Sequence, residues 1–327
     1  MRYLNNLSTD PYFNMAFDEY ALQQLSLDEP LFFLWQNRSA VIIGLNQNAY
    51  AEVDLDYLKR NDIALVRRVT GGGAVYHDLG NLNYTIVGRA ADLNRDYPEY
   101  TRYMLQALQA LGVEAELSGR NDILVGGRKV SGYAKRVYKD RLMVHGTLMY
   151  DVDLDRLTAA LTPSAEKLTS KGIASVRSRV DNLRNYLPHT ITNVSDLLHQ
   201  LEQHLSRQYE DQEYLLNEEQ LAAITRLRNQ KFATYEWIYG RSPHTSLVRS
   251  ARFSCGRIEV SLQISEGSIA ECHISGDFMG NLSAAQLESL LQGVRYERDA
   301  LRERIVQTDI SLYFDHLTTE EFLSLLV

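Results

Sequence analysis

Long apolar runs are missing from this sequence. No stretch of about 18 consecutive apolar residues occurs, and the opening residues, MRYLNNLSTDPYFN, lack the charged-then-apolar order of a secretory signal. We therefore expect a cytoplasmic protein without a membrane segment. Proline is scarce, at 6 residues, and a composition of 45% hydrophobic and 23% charged residues is typical of a folded globular chain.

Cysteine is also scarce. The two cysteines, Cys255 and Cys272, form no CxxC pair and have no histidine cluster nearby, so the sequence predicts neither a zinc site nor a disulfide framework. The formal net charge of −8 argues against nucleic acid as a partner, because nucleic-acid-binding domains normally carry a basic surplus.

One segment departs from this acidic balance. Between Arg120 and Arg141, two acidic residues stand against seven basic ones: Arg120, Arg128, Lys129, Lys135, Arg136, Lys139 and Arg141. A positive segment in an acidic protein indicates either a site for an anionic ligand or a solvated charged face.

The pattern of elements favours an α+β fold. Strands are predicted consecutively from 113 to 150, and Gly126-Gly127 is a two-residue connection of the kind that closes a β-hairpin between 122–125 and 128–136. Antiparallel neighbours of this kind argue against a doubly wound α/β sheet. We predict two domains, 1–245 and 246–327. Helical spacing predicts helices at or near 14–25, 54–60, 100–111, 153–161, 194–208, 217–230, 283–293 and 318–326.

The most informative stretch is RRVTGGGAVYHDLGN, residues 67–81. Consecutive glycines let the main chain adopt positive φ and come close to a ligand, so that backbone N–H groups can face phosphate oxygens. Arg67 and Arg68 add charge-assisted donors next to the glycines. The spacing matches neither a P-loop nor a dinucleotide-binding fingerprint. A tight turn would explain the glycines alone, but the polar groups around them favour a cradle for phosphate or carboxylate.

The stretch GRNDILVGGRKVSGYAKR, residues 119–136, contains a lysine on a predicted strand. Strand alternation predicts that Lys129, Ser131 and Tyr133 share one face. An ammonium group on an inward face would offset the repulsion between a carboxylate and a phosphate. In HGTLMYDVDL, His145 begins an apolar strand, where a structural histidine and a ligand contact are equally reasonable interpretations.

Together these segments resemble the lipoate–protein ligase A family in order and spacing over nearly the whole chain. The resemblance also includes WQNRSAVIIGLNQNAYAEV at 35–53, KGIASVRSRVDNL at 171–183 and FATYEWIYGRSP at 232–243. It implies a biotin/lipoate ligase-type catalytic domain, with an antiparallel-rich mixed sheet and flanking helices. It further implies a small α+β accessory domain at the C-terminus.

The activity that the resemblance implies has two steps. Lipoate and ATP give lipoyl-adenylate and pyrophosphate, and a carrier lysine then attacks the acyl carbon and releases AMP. By the family's pattern, Lys129 is the catalytic lysine that contacts both the acyl carboxyl and the phosphate. The other residues matching the nucleotide-binding segment are Arg68, Gly71, Gly72, Gly73, Ala74, Val75, Tyr76 and Asn121.

The resemblance also implies residues for the acid, a metal ion and protein partners. Asp122 matches a position for a contact with Mg²⁺, and His77, His145, Ile43 and Gly44 border the lipoyl pocket. The acid is lipoate, with octanoate left open. The expected partners are the lipoyl carrier domains of 2-oxoacid dehydrogenases and the H protein of glycine cleavage.

Three alternatives compete with this interpretation. An octanoyl or lipoyl transferase of the same superfamily would move the acyl group without ATP. Its cysteine-dependent members need a thiol in the catalytic domain, whereas both cysteines here follow residue 246. A lysine-dependent transferase stays open as an alternative. Biotin ligases carry a different glycine- and arginine-rich loop. A non-catalytic lipoate-binding protein would not need Lys129 together with the complete glycine loop.

Overall fold

A computed structural model describes residues 2–26, 28–89, 97–118, 121–161, 179–206, 214–240, 245–276, 278 and 281–327. The chain divides into two compact units, Met1–Thr234 and Tyr235–Val327. The domain limits 1–245 and 246–327 stay a prediction. Within the described residues, no helix is both long enough and apolar enough to cross a bilayer.

The first unit is built on a seven-stranded sheet and a three-stranded sheet. The large sheet has the order β1-β2-β6-β10-β9-β8-β7, in which only the β1–β2 pair is parallel. The small sheet has the order β4-β3-β5, with β3 parallel to β4 and antiparallel to β5. The strands are β1 (Arg2–Asn5), β2 (Leu31–Trp35), β3 (Ala40–Ile43), β4 (Ala64–Arg67), β5 (Val75–His77), β6 (Asn81–Arg89), β7 (Ala115–Ser118), β8 (Asp122–Val125), β9 (Arg128–Tyr138) and β10 (Arg141–Met149).

Helices cover both faces of the large sheet. On one face, Tyr97–Ala110 and Val194–Ser206 pack their apolar sides onto Leu82, Tyr84 and Val144. On the other face lies helix α1 (Pro11–Gln23), which contacts β6 and β10. The remaining helices among the described residues of this unit are Ala49–Glu52, Leu55–Arg60, Leu154–Ala160, Leu183–Asn185, Glu218–Leu227 and the π-helical Arg228–Phe232.

Helix α1 begins earlier than its apolar spacing predicts. The side chain of Asp10 accepts a hydrogen bond from the Tyr12 N–H, and Pro11 occupies the first helical turn. Proline is favoured there because it has no N–H to leave unpaired. Nearly every residue from Pro11 to Leu22 is buried, including Asn14, Asp18 and Glu19. A helix that carries buried polar groups next to a sheet can supply them to a site.

The second unit is a three-stranded antiparallel sheet with helices. Strands β11 (Thr245–Phe253), β12 (Gly256–Ser265) and β13 (Ser268–Gly276) form a meander. The helices of this unit are Tyr235–Ile238, Ala285–Leu291, Arg298–Ile305, Ile310–Leu312 and Thr319–Leu326. With these two units the α+β prediction is confirmed, both for the antiparallel-rich mixed sheet with flanking helices and for the small C-terminal sheet.

Candidate active site

A cavity of about 130 Å³ lies on the α1 face of the large sheet. Strands β6, β9 and β10 contribute to its wall, together with β5 and the glycine loop that precedes it. Met15 of α1 and Trp35 at the end of β2 add apolar surface. The lining is therefore mixed, with apolar groups beside a few polar side chains, as is usual for small-molecule sites.

Four residues cross the sheet in one line and form what we call the floor row: Trp35, Asn83, Thr147 and Gly132. Asn83 pairs with Trp35 on one side and with Thr147 on the other. The backbone N–H of Gly132 donates to Oγ1 of Thr147 over 3.2 Å. Since neighbouring strands lie about 4.8 Å apart, the row spans three spacings, or about 14 Å, from Trp35 to Gly132. Because Trp35 and Gly132 both line the cavity, the row indicates how far the cavity extends across the sheet.

Arg68 holds the glycine loop in shape from within. Its Nη2 donates to the carbonyl oxygens of Gly71 and Gly73, at 2.7 and 2.8 Å, and its Nη1 donates to that of Ile42 at 2.9 Å. Burial lowers the pKa of Arg68 to about 10, so the guanidinium keeps its charge at neutral pH. Most of its donors are used on the protein's own backbone, and its charge lies directly beneath the loop.

Arg67 also donates to backbone carbonyl groups of the protein. This fully buried side chain donates from Nη1 to the carbonyl oxygens of Gly44 and Gln47, at 3.0 and 2.6 Å. The expectation that both arginines extend donors towards a ligand is therefore wrong for Arg67, which fixes the segment after β3. Of these two arginines, Arg68 lines the cavity and Arg67 does not.

Two glycines make this arrangement possible. A Cβ added at Gly44 would lie 2.2 Å from the carbonyl oxygen of Gly72, well inside van der Waals contact. Gly72 has φ 93°, a conformation that side chains disfavour. The segment after β3 and the glycine loop can thus approach closely only because both positions lack a side chain.

Lys129 reaches the cavity from the start of β9. A β-bulge shifts the β8–β9 register, so that Leu124 pairs with Lys129 and Ile123 with Ser131. Val130 and Tyr133 consequently belong to the core on the opposite face. The prediction that Lys129, Ser131 and Tyr133 share one face is wrong, because it assumed unbroken alternation.

The Lys129 ammonium lies over Gly132 and beside Asp122. A Cβ at Gly132 would meet Nζ at 2.6 Å, so the missing side chain leaves the space that the ammonium occupies. Nζ is 2.8 Å from Oδ1 of Asp122, and each of the two side chains is about one-third exposed, at 33% and 34%. Asn121 is next to this pair, and its Nδ2 donates to the Tyr133 carbonyl at 2.8 Å.

A buried polar chain that we did not predict from sequence runs under the cavity. Nδ1 of His145 lies 2.7 Å from Oδ2 of Asp18, and its Nε2 lies 2.7 Å from Oγ1 of Thr70. Thr70 also accepts from Nε of Arg68 at 3.0 Å. The chain therefore connects helix α1 to the glycine loop through His145. The sequence carried no signal for Asp18, because apolar spacing predicts the helix but does not show which of its polar side chains are buried.

The structure brings most of the predicted site residues together. Those that line the cavity are Arg68, Gly72, Gly73, Ala74, Val75, His77, Asn121, Lys129 and His145. Tyr76 points the other way because its neighbours on β5 face the cavity, and Ile42 lines it instead of Ile43 because Ile42 pairs with Val75. Gly71, Gly44 and Asp122 support the wall without lining it.

Residues that sequence reasoning missed complete the lining. They are Met15, Trp35, Ile42, Asn83, Gly132, Ala134, Gly146 and Thr147. Tyr133, which belongs to the core, also borders the cavity. Trp35, Asn83 and Thr147 could have been found from strand alternation once one of them was placed, because paired residues point to the same face.

The positive segment does not form one anionic site. Arg136 donates to the Val69 carbonyl at 2.5 Å, and Arg141 donates to the Leu25 carbonyl just after α1, also at 2.5 Å. Arg128 lies 3.4 Å from Asp181. Arg120 lies outside the described residues. Of the basic residues described in this segment, Lys129 alone lines the cavity.

Neither cysteine belongs to the unit that contains the cavity. Cys255 and Cys272 are buried thiols of the second unit and form no disulfide with one another. Burial, with the charge of Glu288, raises the pKa of Cys272 to about 12. A thiol that stays protonated is a poor nucleophile.

Comparison with known proteins places the chain in a family. Residues 10–206 match the model of the lipoyl protein ligase A/B catalytic domain, and residues 242–326 match that of the bacterial lipoate protein ligase C-terminus. The chain is 38% identical to the lipoate-protein ligase LplJ of Bacillus subtilis over 100% of both chains. The chain belongs to the lipoate–protein ligase family, as its motifs predicted.

Two solved structures are similar in fold as well. A bipartite lipoate protein ligase of Thermoplasma acidophilum, studied with its E2 lipoyl domain, has a TM-score of 0.64 and 31% identity, covering 74% of this chain and 97% of its own. A lipoate-protein ligase A bound with ATP has a TM-score of 0.62 and 30% identity, covering 73% of this chain and 98% of its own.

Proposed function

We propose that the protein activates lipoate with ATP and transfers the lipoyl group to a lysine of a carrier domain. In the first step a lipoate carboxylate oxygen attacks the α-phosphorus of ATP, which forms lipoyl-adenylate and releases pyrophosphate. In the second step the carrier's ε-amine attacks the acyl carbon, loses a proton and releases AMP. Family membership supports the ligase activity, and the ATP-bound relative supports the use of ATP.

The observation that carries this proposal is the position of Lys129. Its ammonium lies at one end of the floor row, next to a cavity long enough for an extended medium-chain acid. A carboxylate and an α-phosphate repel one another as they approach. One cation between them offsets this repulsion and stabilises the charge that develops during attack. In the absence of substrates, the Lys129 ammonium lies 2.8 Å from Asp122, and we expect it to contact the substrates as well once they bind.

The glycine loop is suited to the nucleotide phosphates. Its backbone is held open by Arg68, whose positive charge lies under the carbonyl groups of Gly71 and Gly73. No atom lies within 4 Å of a Cβ built at Gly71 or at Gly73, so a phosphate can approach the main chain there. We assign the phosphates to this loop, from Gly71 to Tyr76, together with Arg68 and Asn121.

The residues present fit Mg²⁺ only together with the nucleotide. No cluster of three or more potential metal ligands occurs among the described residues. Mg²⁺ is often bound by one or two carboxylates while substrate phosphates and water supply the other ligands. Asp122 is the carboxylate beside Lys129 and would be that single protein ligand. Bound there, the ion would neutralise phosphate charge.

The acid occupies the cavity along the floor row, with its carboxylate at Lys129. Its far end then lies near Trp35 and His77, and His145 lies beneath its middle. For the second step we propose lipoyl domains of 2-oxoacid dehydrogenases and the glycine cleavage H protein as acceptors. The archaeal relative studied with its E2 lipoyl domain supports this class of partner.

Acid-dependent exchange of labelled pyrophosphate into ATP tests the proposal. A ligase exchanges label only when lipoate is present and then modifies a lipoyl domain after ATP is added. A transferase would move lipoyl between carriers without ATP, and a binding protein would bind lipoate without exchange. Either result would contradict the proposal. Alkylation of native protein with iodoacetamide provides a further control, since the buried cysteines should leave a ligase active.

A further inference from the structure

Two asparagines determine which tautomer the neutral ring of His77 adopts. Nδ2 of Asn14 donates to the carbonyl oxygens of Ser8 and Gln36, both at 2.9 Å, which fixes the orientation of this amide. Oδ1 of Asn37 lies 2.8 Å from the same nitrogen, so the two hydrogens of this amide are shared among three oxygen acceptors. Nδ2 of Asn37 therefore faces Nδ1 of His77, at 3.0 Å. Because Asn37 donates, Nδ1 accepts, and the ring proton is on Nε2.

The Nε2–H group is a buried donor with nothing to donate to. Among the described residues, this nitrogen has no hydrogen-bond partner, although the side chain lines the cavity and is only 3% exposed. Burial, with the nearby charges of Arg68 and His145, lowers the pKa of His77 to about 3, so the ring is neutral under physiological conditions. A buried donor without a partner costs free energy unless a ligand supplies an acceptor.

The position of His77 tells which part of the ligand it meets. Its ring lies edge-on to Trp35, with 6.2 Å between ring centroids. Trp35 ends the floor row about 14 Å from Gly132, by three strand spacings of about 4.8 Å. Lys129 lies over Gly132, at the other end. An acid with its carboxylate at Lys129 therefore places its terminal atoms beside His77.

We propose that His77 is a specificity residue whose Nε2–H donates to a ring sulfur of the dithiolane at the far end of lipoate. This inference rests on the proposed function. Sulfur is a weak acceptor, whereas a methylene group accepts nothing. Lipoate therefore supplies an acceptor for the Nε2–H group of His77, whereas octanoate or a carbocyclic ring supplies none. The site thus selects acids that carry a terminal acceptor.

Pyrophosphate exchange with three acids tests the inference: lipoate, octanoate and cyclopentylpentanoate, in which methylenes replace both ring sulfurs. We expect kcat/KM for lipoate to exceed that for the carbocycle about three- to tenfold, the scale of one neutral hydrogen bond. In His77→Phe, which keeps a ring without the donor, this ratio should fall to about one. In His77→Gln, which keeps an N–H donor, part of the preference should return.

Met15→Leu is the matched control, because Met15 lines the same cavity without a donor. This variant should keep the lipoate-to-carbocycle ratio whatever its absolute rate. A ratio of one in the wild-type protein, an unchanged ratio in His77→Phe or an equal loss in Met15→Leu would overturn the inference. If the wild type exchanges with no acid, the proposed function fails. The ratio of dissociation constants for lipoate and the carbocycle, measured by calorimetry, then still decides the role of His77.

Discussion

Nδ1 of His145 lies 2.7 Å from Oδ2 of Asp18, and both side chains are buried. The other carboxylate oxygen of Asp18 accepts from Oγ1 of Thr85 at 2.8 Å, and Thr85 in turn accepts from Trp35 Nε1 at 2.9 Å. Asp18 thus connects the apolar end of the cavity to the histidine beneath it. A buried carboxylate is tolerated when each oxygen receives a hydrogen bond, as here.

Asp18→Asn should destabilise the protein by about 1–3 kcal/mol, the scale of one buried unsatisfied polar group. An amide can accept from Thr85, but its NH₂ group would then face the Nδ1–H of His145. Urea unfolding measures this change. Asp28→Asn, at an exposed position, is the control and should change stability by less than about 0.5 kcal/mol. Equal stabilities of the two variants would show that the Asp18–His145 contact contributes nothing.

Gly44→Ala should lower thermal stability, because its methyl group would lie 2.2 Å from the Gly72 carbonyl oxygen. Relief requires the backbone of the glycine loop to move, with a cost of about 1–3 kcal/mol for such overpacking. Gly71→Ala is matched in chemistry, but no atom lies within 4 Å of the new methyl group. Scanning calorimetry should therefore show a lower Tm for the first variant and little change for the second. The opposite order would contradict the close approach.

The sequence predicted elements well where local patterns are strong. The Gly126-Gly127 hairpin and the helix predicted at 194–208, observed at Val194–Ser206, follow from turn chemistry and apolar spacing. The helix Arg298–Ile305 was missed because its sequence is mostly charged. Only Leu301 and Ile305 of that helix are fully buried. Tertiary contacts, which a local pattern does not contain, decide such segments.

The site was predictable in its motifs and not in its geometry. The chemistry of the glycine triplet and of Lys129 can be inferred from the residue types alone. The bulge that separates Lys129 from Ser131, by contrast, depends on pairing with β8. Asp18 and Asn37 act through histidines far away in the chain, at sequence separations of 127 and 40. Such partners are fixed only when the sheet forms.

Lys129→Ala should abolish most acid activation and leave folding intact. Loss of a cation at a developing charge costs about 100- to 1,000-fold in rate. The ion pair with Asp122 is partly exposed, at 33% and 34%, so its loss should cost less than about 1 kcal/mol of stability. Pyrophosphate exchange and urea unfolding measure the two effects. Lys139→Ala, at the β9–β10 turn away from the cavity lining, is the control. Near-normal exchange in Lys129→Ala would remove this residue from the mechanism.

Gly132→Ala should displace the ammonium of Lys129 without unfolding the protein. The new methyl group would lie 2.6 Å from Nζ and 2.7 Å from Cε, the mobile end of a flexible side chain. We expect reduced pyrophosphate exchange at an unchanged Tm. A double-mutant cycle gives the decisive measurement, because the Gly132→Ala change should add no further loss to Lys129→Ala. Additive losses would mean that Gly132 acts independently of the lysine.

The buried His77 should make stability depend on pH below neutrality. Burial lowers its pKa from the ordinary 6.5 to about 3, so between these values the unfolded chain binds one proton more than the folded protein. The free energy of unfolding therefore has its full value, as far as His77 is concerned, above about pH 6.5. As pH falls from there towards 3, it decreases by about 1.4 kcal/mol per pH unit because of this group. His77→Phe should therefore flatten the curve of unfolding free energy between pH 6 and pH 4. His199→Gln, with a side chain 71% exposed, should leave the curve as it is. Parallel curves for the wild type and His77→Phe would show that His77 titrates alike in the folded and unfolded states.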